Sequence, residues 1–170
     1  NCIDNIINFE ASGLATNVEV QAYLRQTIPA SHLNNCRVIE YQARMIGDHT
    51  AQVAGSFTPM FRQIYVYQTT QEFHNTEQLL DTLVHEVGHN AHYNLWRKDW
   101  DLKTRWAELY LQSRESFVRE GLGFVSEYAI SDEFEDFAES YRVYVRDPEL
   151  LKYVNPEKYE FMREVVFEGR

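Results

Sequence analysis

Apolar residues in the first 70 positions come in short runs broken by polar and glycine-rich stretches. An Ile/Phe run between Asn1 and Phe9 predicts a short strand. Asn17 to Ile28 predicts a helix with Val18, Tyr23 and Leu24 as apolar anchors, stopped by Pro29. Rising β-branched and aromatic content predicts a strand from Cys36 to Ile46. Gly47 to Pro59 is rich in Gly, Ser, Thr and Asp and reads as a loop with room for a short edge strand. Within Phe61 to Thr69, Ile64 and Val66 alternate with Tyr65 and Tyr67, a strand pattern.

From residue 75 onward the spacing is helical. Asn75 or Thr76 caps a helix running to about Leu95, and Trp100 to Arg119 forms a second, closed by Gly121 and Gly123. Ser131 is the expected cap of a third, reaching about Arg146, with Asp132 and Glu133 in its first turn where the helix dipole favours acids. Pro148 and Pro156 punctuate two short terminal helices. A small sheet followed by helices predicts an α+β fold rather than repeating βαβ units. The 170 residues fit one domain, with a helix-and-sheet part over 1–74 and a helical part over 75–170.

The first of these later helices carries His85-Glu86-Val87-Gly88-His89, an H-E-x-x-H sequence. Residues four apart project from one helix face, so two imidazoles can close on a single metal ion. Glu86 between them can reach a water at that ion. Gln78, Asp81, His85, His89 and His92 fall on one polar strip, with Leu80, Leu83, Val84, Val87 and Ala91 opposite. Gly88 costs about 1 kcal/mol mid-helix, which close approach by another element would explain. The plain alternative is a solvated polar face that happens to contain histidines.

Charge and cysteines narrow the partners. The formal charge of −10 repels phosphate backbones and anionic lipid, so nucleic acid is not an expected partner, whereas a polypeptide with basic character would be attracted. A solubilising surface charge explains the same number equally well. No apolar run reaches the roughly 20 residues needed to span a bilayer. No basic segment followed by an apolar stretch opens the chain, and a start at Asn1 is what a mature or trimmed product would have. Cys2 and Cys36 are either a disulfide, in an oxidising compartment, or two reduced thiols.

A catalytic zinc needs a third protein ligand and an open position. His92 lies on the same strip, but three residues of one helix converge poorly on a tetrahedral ion. The longer metzincin pattern fails, because His92 stands where its glycine would be and Leu95 where its last histidine would be. An acid on a later helix is the other source. Glu135 and Glu139 flank the apolar stripe Phe134, Phe137, Ala138, Tyr141 and Val145. Both acids also have local uses, Glu135 in capping with Asp132 and Glu139 in an i,i+3 pair with Arg142.

The segment from Tyr128 through Glu135 and Glu139 to Arg142 follows H-E-V-G-H by a few dozen residues. Together these motifs resemble the catalytic domain of anthrax lethal factor and the secreted bacterial Pro-Pro endopeptidases of the same superfamily. The resemblance covers roughly Phe57 to the C-terminus. It implies a zincin-like fold, with a small mixed sheet packed on an active-site helix, and a secreted zinc endopeptidase. His85, His89 and Glu135 would hold one catalytic Zn2+, and Glu86 would be the general base. Glu139 would accept a hydrogen bond from a ligating imidazole, and Tyr128 would donate its phenol to the oxyanion. A polypeptide substrate would lie as an added strand along an edge strand near residues 55–69. Met45 to Thr58 is shorter than its counterpart in the Pro-Pro endopeptidases and lacks their tryptophan, so cleavage between prolines does not follow. Two other readings accompany this one: a non-catalytic binding module of the same fold, and a zinc hydrolase of a non-peptide amide.

Overall fold

The computed structural model describes residues 1–42, 55–60, 62–67 and 75–170. The sequence expectations for 43–54, 61 and 68–74 lie outside the described residues. Among those described, four strands and six α-helices form an α+β fold. The strands are β1 (Ile6–Ile7), β2 (Val38–Gln42), β3 (Gly55–Thr58) and β4 (Gln63–Tyr67). The helices are α1 (Asn17–Thr27), α2 (Thr76–Lys98), α3 (Trp100–Glu120), α4 (Glu133–Arg146), α5 (Pro148–Val154) and α6 (Pro156–Phe161). The chain divides into two compact units, Asn1–Asn90 and Ala91–Arg170, with the division inside α2.

In the first unit, α1 starts in a capping box. Thr16 Oγ1 accepts from the Glu19 N–H at 3.1 Å, while Glu19 Oε1 accepts from the Thr16 N–H at 3.3 Å. Val20 and Leu24 lie one turn apart and are fully buried. Val18, expected as an anchor, is 73% exposed: at 100° per residue it points some 160° away from Val20.

The sheet runs β1-β2-β4-β3, with β1, β2 and β4 parallel and β3 antiparallel to β4 at the edge. Gly55 pairs with Val66 and Phe57 with Ile64. Side chains directly opposite in an antiparallel pair share a face, so Gly55 and Phe57 stand with the fully buried Ile64 and Val66. Cys2 and Cys36 are joined in a disulfide with their Cα atoms 5.1 Å apart. Such a bond is compatible with an extracellular protein. The segment before Cys36 is also tied to α2, because Asn90 Nδ2 donates to the carbonyls of His32 (2.7 Å) and Asn34 (3.0 Å).

The second unit is built around Trp106, whose ring lies 5.0 Å from Phe137 and 5.3 Å from Phe161 and whose Nε1 donates to the Glu133 carbonyl. The cap of α4 is Asp132 rather than Ser131. Asp132 has extended backbone, and its Oδ1 accepts from the N–H groups of Phe134 and Glu135. Ser131 already has helical backbone, and its hydroxyl donates back to the Tyr128 carbonyl.

Beneath α4 sits a buried ion pair that the sequence did not announce. Lys158 Nζ meets Asp136 Oδ1 at 2.9 Å and donates to the Gly123 carbonyl at 3.1 Å, with both side chains at 1% exposure or less. Burial pushes the Asp136 carboxyl up to about 6 against the pull of Lys158, and burial likewise lowers the Lys158 ammonium. Gly123 has φ +121°, and a Cβ there would come within 3.2 Å of the Ser113 carbonyl oxygen, so only glycine brings this loop onto α3. No described helix is long and apolar enough to cross a membrane.

Candidate metal centre

Helix α2 is begun by Asn75, whose Oδ1 accepts from the Gln78 N–H at 2.9 Å. Glu77 lies in its first turn and Arg97 and Lys98 in its last, matching the helix dipole at both ends. Its apolar face is buried at Leu79, Leu83, Val84 and Val87, all fully shielded from solvent. That burial sets the rotation of the helix and so the direction of the histidines.

His85, Glu86 and His89 come together. One ligand atom from each lies within 4.8 Å of the others. His85 and Glu86 are 7% and 5% exposed, and His85 Nε2 stands 4.0 Å from Glu86 Oε1. The two imidazole rings are 4.9 Å apart between centroids and nearly perpendicular at 82°.

The donor set fits a divalent transition ion. Two ligands on a tetrahedral zinc are about 3.3 Å apart, somewhat closer than the 4.8 Å within which these atoms lie. Two imidazoles with a carboxylate are borderline donors suited to zinc and also to neighbouring first-row metals, so the set could hold a metal ion and leaves its identity open. The cluster is equally notable for what it would cost as a plain core feature: three polar side chains on one helix turn, two of them less than a tenth exposed.

Strand β3 lies against this turn. The Phe57 ring is nearly parallel to that of His89, 8° from coplanar with centroids 6.2 Å apart. Gly55 approaches so closely that a Cβ on it would stand 2.8 Å from Glu86 Cγ. On the other face of β3, Ser56 Oγ and Tyr67 Oη are hydrogen-bonded at 2.9 Å. Burial pushes the Tyr67 phenol up; the Ser56 hydrogen bond opposes this, and the charges of Tyr65, Glu86 and Glu40 add to it.

The remaining candidates belong to the second unit. Glu135 is half-buried in the first turn of α4, its N–H held by Asp132. Glu139 is buried, and its carboxylate accepts from Ser126 Oγ at 2.8 Å and from Arg142 Nε at 2.8 Å. The i,i+3 pairing foreseen for Glu139 is therefore present, together with a bond to Ser126 that sequence reasoning missed. Ser126 Oγ in turn accepts from the Ala129 N–H, so Glu139 braces the 3-10 turn Tyr128–Ile130. Tyr128 is 55% exposed, which removes core packing as its role. His92 is 1% exposed and stacks on Phe137, with centroids 4.0 Å apart and planes 5° from parallel, and it meets Trp96 edge-on. Its ring is part of an aromatic core.

Gly55 and Phe57 were the neighbours of the cluster that pattern reading did not single out. A glycine within a strand is the available signal, since it often marks close approach of another group. Comparison with known proteins adds no family to this geometry: no family model, no curated protein and no solved structure matches the chain.

Proposed function

We propose that this chain is a zinc-dependent endopeptidase of the lethal-factor-like zincin type. The observation that carries the reading is the convergence of His85, Glu86 and His89 within 4.8 Å on one buried turn of α2. His85 and His89 hold the ion. The sequence resemblance contributes the rest: Glu135 as third ligand, Glu139 as the carboxylate that orients a ligating imidazole, and Tyr128 as a phenol donor.

When bound, zinc supplies an acidified water and a polarised carbonyl. Glu86 takes the proton of the attacking water and passes it to the departing amine. Tyr128, an exposed phenol, donates to the oxygen on which negative charge develops. β3 stands at the sheet edge, where an extended polypeptide adds by main-chain hydrogen bonds and brings its scissile bond to the α2 turn. The net charge of −10 favours polypeptides with basic character. Secretion places the chain in an oxidising medium, where the Cys2–Cys36 bond persists.

A peptide-library cleavage screen on the zinc-loaded protein, with proline-rich sequences included, tests the proposal. Glu86→Gln is expected to keep its zinc and lose roughly 10²–10⁴-fold in rate, because the base goes while the ligands stay. Wild-type cleavage by that variant would end the reading.

A further inference from the structure

Gly55 occupies a notch on α2. Thr82 and Glu86 stand four residues apart and project from the same helix face. A Cβ on Gly55 would lie 2.8 Å from Glu86 Cγ, 3.0 Å from Glu86 Oε1 and 3.0 Å from Thr82 Cγ2. Carbon atoms in contact rest at about 3.5–4.0 Å, so no side chain fits there without displacement. The requirement is one of space alone. Gly55 is not among the residues with positive φ, and any amino acid could adopt its backbone.

Which atom yields follows from stiffness. β3 is held in register by β4, with Gly55 opposite the fully buried Val66. Thr82 is β-branched, and its methyl sits one bond from Cβ with little freedom. Glu86 has further torsions beyond Cβ and moves most easily. A larger residue at 55 would therefore turn the Glu86 carboxylate and leave the helix and its two imidazoles in place.

We infer that Gly55 is a positioning residue for Glu86: the missing side chain sets where the carboxylate sits beside His85, and the size of residue 55 governs the base independently of ion retention. The inference rests on the reading of Glu86 as the general base. Phe57, two residues along on the same face, lies parallel to His89, so this strand face supports both chemical groups of the turn.

The test combines carboxyl-¹³C-glutamate NMR with zinc analysis and kinetics on the full chain. The Glu86 resonance is assigned by its loss in Glu86→Gln. Gly55→Ala should shift that resonance, retain zinc as in the wild type, and lower kcat about 10- to 100-fold with KM unchanged. Met60→Ala, at an exposed position just beyond β3, should leave the resonance in place. An unmoved resonance in Gly55→Ala overturns the inference, as does loss of zinc in parallel with rate. Should Gly55→Ala not fold, Thr82→Ala combined with Gly55→Ala removes the stiff methyl from the clash and keeps the added carbon against Glu86. It must shift the same resonance for the inference to stand. A shifted resonance in Gly55→Ala, with a wild-type protein that cleaves no peptide, would sustain the positioning role and refute the peptidase reading.

Discussion

In the second unit, Asp136 and Lys158 bury opposite charges 2.9 Å apart, and the lysine also donates to the Gly123 carbonyl. In the first, His85, Glu86 and His89 bring three electron-pair donors within 4.8 Å of one another, two of the side chains buried and His89 half-buried. The ion pair is fully buried, the α2 cluster less so at His89, and the two differ in composition. The ion pair carries its own countercharge, so it braces the α4–α6 region and the loop at Gly123. Even there burial outweighs the attraction, which is why the Asp136 carboxyl is pushed up to about 6. The α2 cluster includes no lysine or arginine, and its two imidazoles and carboxylate could hold a metal ion.

Breaking each cluster separates a brace from a site. Lys158→Met strands the Asp136 charge and should cost about 3–5 kcal/mol in denaturant unfolding, while Lys158→Met with Asp136→Leu should recover most of that loss. His85→Ala, which strips a donor from the other cluster, should cost less than half as much stability and remove zinc retention measured by metal analysis. If His85→Ala destabilises as much as Lys158→Met, the α2 cluster is structural.

The ligand assignment is sharpened next. Glu135→Ala should weaken zinc affinity by more than the ten- to hundredfold typical of an outer partner, whereas His92→Phe, kept aromatic to preserve its stack on Phe137, should leave affinity unchanged. The reverse ranking would transfer the third-ligand role to His92. The smallest effect expected is that of Tyr128→Phe: about a tenfold fall in kcat at constant zinc content, read from steady-state kinetics. An unchanged rate would leave Tyr128 as an exposed phenol without a part in the chemistry.

Much of the architecture was readable because the local signals agree. Asn75, Gly121, Pro148 and Pro156 punctuate helices where helix-end chemistry places them, and the alternation at Ile64 and Val66 marks β4. The misreadings have local causes. Val18 was apolar but lay off the Val20–Leu24 stripe, and Ser131 lost the capping position to Asp132, whose carboxylate reaches two N–H groups at once. Glu139 had two plausible uses in sequence, and its bond to Ser126 involves a partner 13 residues away with no periodic relation to it.

By itself the sequence determined that two imidazoles and a carboxylate share one helical turn, because a four-residue spacing on a helix leaves no other geometry. It also determined the order of sheet and helices through hydrophobic period. Only the tertiary structure decided what lies against that turn: the bare backbone of Gly55 at Glu86, the ring of Phe57 at His89, and the pairing of Asp136 with Lys158 across 22 residues of chain. These contacts join segments distant in sequence, and their distances follow from packing rather than from any spacing along the chain.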